Sequence, residues 1–217
     1  PQLFVLDSIT KEGLISTNIN LKFDLDGEIK NNYQITGTVK KAKFNIFNKV
    51  EIDDLNLSFN ISNNQLTLKK IETNLNSIRL KSPLIKIEKK KDIFFVDGEV
   101  ANEEQNFDIN KLKPIFGDLP NNIEIEKIDF NSINIFSFNV SKKLKLNNLK
   151  LETNLNLENF QIVKNSLNLK TFLPNYTEQI KFKDHKIKIK LTKSILDIKG
   201  DGDIYIGDES EKLSYSV

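Results

Sequence analysis

Apolar and polar residues alternate along most of this chain. At residues 54–62, Leu55, Leu57, Phe59 and Ile61 are separated by Asp54, Asn56, Ser58, Asn60 and Ser62. Successive side chains of a β-strand point to opposite faces, so the four apolar residues share one face and the five polar ones the other. At helical spacing the same residues would scatter around the cylinder, and a helix is a poor reading. The device recurs at 15–26, where Ile15, Thr17, Ile19, Leu21, Phe23 and Leu25 alternate with polar residues. Asp26-Gly27 then reads as a turn or bulge. Tyr33 and Ile35 open the next strand, in which Gly37 introduces a bend, and Ala42, Phe44 and Ile46 continue it. Asn63-Asn64 predicts a turn, after which Leu66 and Leu68 start the return, followed by Ile71, Thr73, Leu75, Ile78 and Leu80. The run Lys89-Lys90-Lys91-Asp92 reads as a solvated hairpin tip, and Phe94, Val96, Gly98 and Val100 as another strand.

A second block begins at Ile123. Slips of phase among Phe130, Ile133, Ile135 and Phe138 predict bulges before Val140. Leu149, Leu151, Thr153, Leu155 and Leu157 alternate with polar residues, as do Ile180, Phe182, Ile187, Ile189 and Leu191. Ile195, Ile198, Ile204 and Ile206 close the series, with Gly200 and Gly202 expected at a turn. Two stretches break the alternation. D-I-N-K-L-K-P-I-F-G at 108–117 predicts a short helix, capped by Asp108 or Asn110 and ended by Gly117. L-N-L-K-T-F-L-P at 167–174 predicts a second helical or coiled insertion. The expected organisation is all-β: a long antiparallel meander forming one repeating segment over 1–217. Its parts are a strand block at 13–106, a connector at 107–122 and a second strand block at 123–217.

The two blocks resemble each other. S-F-N-I-S at 58–62 recurs as S-F-N-V-S at 137–141, and E-T-N-L-N at 72–76 recurs at 152–156, at nearly the same spacing. V-E-I-D-D-L-N-L at 50–57 is similar to I-E-I-E-K-I-D-F at 123–130, and F-D-L-D-G-E-I at 23–29 to F-F-V-D-G-E-V at 94–100. Matches in a common order favour a duplication, and a repeated strand set suggests an array extending in one direction.

Composition narrows the chemistry. Net charge is +2, with 32 Lys and Arg against 30 Asp and Glu, which argues against a nucleic-acid binder. Cysteine is absent, so there is neither a disulfide framework nor a thiolate metal site. The acidic residues lack calcium-loop spacing. The heavy use of Asn, Ile and Lys reads as codon bias rather than as a functional Asn ladder. The single histidine, His185, falls in Lys183-Asp184-His185-Lys186, read as a polar turn. With no nucleophile elbow, phosphate loop or metal-spaced set, no catalytic residue, metal ligand or cofactor is expected, and the chain reads as a non-enzyme. No run of 18 or more apolar residues offers a membrane span. The chain opens on Pro1 and stops at Val217 just after a strand-like stretch, which reads as a piece of a longer protein.

The apolar face must be covered by something. Two sheets closing on each other, or an open trough holding a foreign apolar guest, both satisfy the pattern, and periodicity does not separate them. The strand meander, the D-G-E-I/V segments, the N-x-L-x-L and E-T-N-L pairs and the 108–117 connector resemble the AsmA-like family of Gram-negative periplasmic proteins, the group of TamB and YhdP. The resemblance spans most of 15–206. It implies a repeating β-groove with an apolar interior, part of a bridge moving phospholipid or other acyl lipid between inner and outer membranes. It also implies a periplasmic location and tethering to the inner membrane through an anchor outside this fragment. The inward row would then be Ile19, Leu21, Phe23, Leu25, Leu55, Leu57, Phe59, Ile61, Phe138, Val140, Leu155, Ile189 and Leu191. The alternative is a closed β-sandwich or solenoid module of a cell-envelope protein with no lipid cargo.

Overall fold

The structure, a computed structural model, describes residues 10–28, 30, 33–46, 50–76, 78–103, 107, 124–143, 145–164, 179–193, 195–207 and 209–217. Eleven strands follow one another: β1 (Thr10–Asn20), β2 (Gln34–Ile46), β3 (Val50–Ser62), β4 (Gln65–Leu75), β5 (Ile78–Lys90), β6 (Ile93–Asn102), β7 (Glu124–Ser141), β8 (Leu146–Lys164), β9 (Ile180–Thr192), β10 (Ile195–Ile206) and β11 (Glu209–Ser216). They lie in one sheet in sequence order, β1 to β11, antiparallel and not closed into a barrel. The meander is thus the fold expected of the alternation. The expected helical stretches at 108–117 and 167–174 lie outside the described residues, among which there is no helix. Contacts divide the chain into two compact units, Pro1–Ala101 with Ile135–Lys150, and Asn102–Asn134 with Leu151–Val217.

Short hairpins make this order. β3 turns into β4 through Asn63-Asn64, with Asn63 at φ 52°, and β5 into β6 through Lys91-Asp92, with Lys91 at φ 55°. Tight hairpins need such left-handed residues because the primed turns match the strand twist. Both hairpins fall where the Asn pair and the Lys run predicted them. The Asp26-Gly27 turn also forms: Gly27 takes φ 82°, and the Asp24 carboxylate accepts the backbone N–H groups of Asp26 (3.0 Å) and Glu28 (2.8 Å). The similar Asp97-Gly98-Glu99 is no turn at all but the interior of β6. That pair of matching motifs therefore occupies two different structures.

A line of irregularities crosses β2, β3 and β4. Lys41, Asp54 and Lys70 take φ near 50°, and the registers of β2 with β3 and of β3 with β4 shift beside them. An extra residue in a strand reverses the alternation beyond it. The apolar series accordingly passes from Val39 to Ala42, from Leu55 to Ile52 and from Leu68 to Ile71, and remains in register. Asn56 ties the irregular backbone together. Its Oδ1 accepts the Lys41 N–H (3.1 Å), while its Nδ2 donates to the Asp54 carbonyl (2.8 Å). Thr73 donates to the Asp53 carbonyl (3.0 Å). Lys43 bridges Glu51 (3.1 Å) and Asp53 (3.5 Å) nearby.

Among the described residues the fully buried apolar side chains are few: Ala42, Ile71, Ile78, Phe107 and Ile180. The strand pairs in substantial contact are hydrogen-bonded neighbours in the sheet. Burial therefore comes chiefly from side chains standing beside one another on a common face.

Candidate functional site: the apolar face of the sheet

In the first unit, register fixes which side chains share a face, because directly paired residues point the same way. Ile19, Ile35, Ile61, Leu66 and Ile87 pair successively across β1 to β5. Beside them Gly37 pairs with Phe59, Phe59 with Leu68 and Leu68 with Ile85. Val39 pairs with Leu57, and Ala42 with Leu55. The neighbouring row on the other face is Asn18, Thr36, Asn60, Thr67 and Lys86. One side of five strands is thus almost wholly apolar and the other almost wholly polar, Leu84 opposite Lys69 being an exception.

Gly37 interrupts the apolar rows for a steric reason. A Cβ there would come within 2.6 Å of the Phe59 ring, so the ring lies over the glycine and covers its backbone. Gly98 is constrained in the same manner. A Cβ would meet Ile85 at 2.9 Å and the Phe136 ring at 3.0 Å, which brings Phe136 to the face of Ile85. Phe138 stacks on Phe136 with centroids 5.9 Å apart, and Val140 follows at the next same-face position.

Of the row expected in this unit, Ile19, Leu55, Leu57, Phe59, Ile61, Phe138 and Val140 therefore share one face. Ile19 is well exposed, whereas the β3 members and Phe138 and Val140 are half-buried. The expected strand over 15–26 is shorter: β1 ends at Asn20, and Leu21 and Phe23 lie beyond it, exposed. Leu25 is in the turn closed by Asp24 and is completely exposed, at 106%. Alternation continues through this turn without a strand beneath it, so Leu25 falls outside the row.

In the second unit, Ile189 pairs with Ile198 and Leu191 with Leu196; Leu155 stands two residues after the buried Thr153. This face carries polar groups as well. Thr153 donates to the Asn134 Oδ1 (2.8 Å), and Asn134 donates to Ser132 (3.0 Å). His185 corrects an expectation. It lies within β9, not at a turn, and is the most completely buried large side chain among the described residues, 1% exposed. Asp184, at φ 53°, shifts the register so that His185 falls in step with Phe182 and Ile187. The His185 ring meets Phe182 edge-on at 5.4 Å and stacks near Tyr215 at 6.2 Å. Its Nε2 faces the Asp203 carbonyl at 3.0 Å; since a carbonyl only accepts, Nε2 carries the proton.

Gly200 and Gly202 likewise lie inside β10 rather than at a turn. A Cβ on Gly200 would enter the Tyr215 ring, and one on Gly202 the His185 ring. The two glycines make room for two rings contributed by the flanking strands. Partial burial, and secondarily the Asp201 charge, pushes the Tyr215 phenol above its ordinary range. The hydrogen bond from Lys43 to Glu51, with the charge of Asp53, raises the Lys43 ammonium.

Ile133 and Ile135, expected to join the apolar series through bulges, alternate in sequence with Ser132, Asn134 and Phe136 and stay exposed at 46% and 49%. Among the described residues no group of three His, Asp or Glu side chains is placed to hold a metal ion, and no helix is long and apolar enough to cross a membrane. No protein-family model, no curated protein and no solved structure matches the chain.

Proposed function

We propose that this chain is a segment of a lipid-transfer bridge, whose apolar sheet face holds phospholipid acyl chains between two membranes of a cell envelope. The observation that carries this reading is the apolar side of β1–β5, kept in register through the irregularities at Lys41, Asp54 and Lys70. Roughly 20 apolar residues stand on this face, and each occupies about 32 Å² of sheet, from a strand spacing of about 4.8 Å and a two-residue repeat of about 6.7 Å. The face therefore projects on the order of 600 Å², at the upper end of what monomeric proteins leave apolar without a partner.

The energetics suit a conduit. Removing an acyl chain of roughly 16 methylenes from water is worth on the order of 10 kcal/mol. A membrane offers the chain the same gain, so exchange between bilayer and protein is close to balanced. Sliding along the face demands no particular contact, because the apolar term has no direction. The location that goes with this reading is the periplasm, with tethering to the inner membrane by a segment outside the chain. The fit of an all-β open meander to the resemblance noted in the sequence supports it further.

The test is a charge placed in the middle of the face. Leu57→Asp is expected to fold, as judged by its β-sheet circular dichroism and a cooperative thermal transition, and to lose transfer of a fluorescent phospholipid between vesicles. Full transfer by the folded variant contradicts the reading. If Leu57→Asp unfolds, Leu66→Asn on the neighbouring strand serves as the milder probe, with the same two outcomes.

A further inference from the structure

Beside Leu155, Ile187, Gly200 and Tyr215, the lining of a cavity of about 890 Å³ in the second unit draws two residues, at alternate positions, from each of five consecutive strands. They are Asn131 and Ile133 on β7, Asn154 and Asn156 on β8, Lys186 and Lys188 on β9, Lys199 and Asp201 on β10, and Ser214 and Ser216 on β11. On β9 to β11 they form two register rows. Lys186 is opposite Asp201 and Asp201 opposite Ser214; Lys188 is opposite Lys199 and Lys199 opposite Ser216. On these three strands the paired side chains share the polar side of the sheet, and Ile187, Gly200 and Tyr215, which alternate with them, also border the cavity.

The lining has two unusual features. Like charges set directly opposite each other on neighbouring strands destabilise a sheet, yet Lys188 and Lys199 are paired in this manner. Each also has a carboxylate neighbour, Glu152 at 3.5 Å from Lys188 and Asp197 at 3.8 Å from Lys199. The wall also holds amides and hydroxyls, from three asparagines and two serines. Its volume lies within the range of about 300–1,000 Å³ that holds small ligands, and Ile133, Leu155, Ile187 and Tyr215 add the apolar lining such sites generally have.

We infer that this cavity binds an acidic sugar, a saccharide carrying a phosphate or carboxylate group. The Lys188 and Lys199 ammonium groups take the anion, which removes their mutual repulsion. Lys186 adds positive potential. The amides of Asn154 and Asn156 and the hydroxyls of Ser214 and Ser216 offer both donors and acceptors, as ring hydroxyls require. The Asp201 carboxylate accepts from a hydroxyl. The site is independent of the acyl-chain reading, which concerns β1–β5 in the first unit.

The test is titration of the protein with glucose 6-phosphate, glucuronate, glucose and inorganic phosphate, followed by nuclear magnetic resonance shifts. The two acidic sugars are expected to bind, and to bind more tightly than glucose or phosphate, with affinity falling as salt rises. Lys188→Gln with Lys199→Gln is expected to weaken binding on the order of tenfold or more, the loss of charge-assisted hydrogen bonds. The same double variant is expected to melt close to the parent, since it removes a repulsion together with two exposed ion pairs of small worth. Lys212→Gln, on the polar side outside the cavity, is expected to leave binding unchanged. The proposal is overturned if neither acidic sugar shifts the cavity residues, if glucose or inorganic phosphate binds as well as they do, or if the double variant binds as the parent does.

Discussion

Asn56 shows how much one polar side chain contributes here. It satisfies the N–H of Lys41 on one strand and the carbonyl of Asp54 on its own, both at places where the sheet's regular pairing fails. Replacing it by Leu leaves both groups without that partner, and Asn56→Leu is expected to cost about 2 kcal/mol, read as a lower urea midpoint. His185 makes a different contribution, filling the space over Gly202 between Phe182 and Tyr215. His185→Ala is expected to cost about 3 kcal/mol in thermal or denaturant unfolding, because the glycine beneath leaves the gap open. The Tyr215 phenol is held above its usual range by burial. A raised value in the folded state means that folding favours the protonated form. That contribution is complete below pH 10 and fades as pH rises through the folded-state value. Tyr215→Phe is therefore expected to flatten the alkaline decline in stability, as followed by urea midpoints across the alkaline range.

At the level of the strand, the irregular residues decide whether the apolar face stays continuous. Lys41, Asp54 and Lys70 are held in the left-handed region, which costs an ordinary L-residue about 1–2 kcal/mol. Glycine there escapes the steric cost at some loss of chain entropy, so Lys70→Gly is expected to stabilise by about 0.5–1 kcal/mol, and Lys70→Val to destabilise, in paired denaturant titrations. These positions explain what was legible in the sequence. Leu55, Leu57, Phe59 and Ile61 were readable because alternation within one strand is local information. The step from Val39 to Ala42 is visible as a slip of phase, but its alignment with Asp54 and Lys70 depends on pairing between strands. Gly200 and Gly202 were misread for the same reason: a glycine between apolar residues signals a turn or a site where another group approaches, and the approaching rings come from residues 185 and 215. His185 likewise looked like a turn residue because lysines and an aspartate flank it, although alternate exposed positions in a strand carry the same residues. Leu25 was misplaced because the Asp24 carboxylate, rather than any loss of alternation, closes the chain into a turn.

At the level of the whole molecule, the described strands form one open antiparallel sheet, with few fully buried apolar side chains among the described residues. Such an arrangement gains little from a central core and much from neighbouring side chains on one face. It suits a protein that leaves apolar surface for a guest. The polar side of the second unit carries the lysine and asparagine cavity as a second, chemically distinct opportunity. The central claim is that the apolar face of β1–β5 is occupied by acyl chains, and the most direct measurement is mass spectrometry of the organic extract of protein purified without detergent from cells containing membrane. The account predicts phospholipid or another acyl lipid in amounts comparable to the protein, and its loss from folded Leu57→Asp. An extract of the parent protein that contains no more acyl lipid than that of the folded Leu57→Asp variant would contradict it.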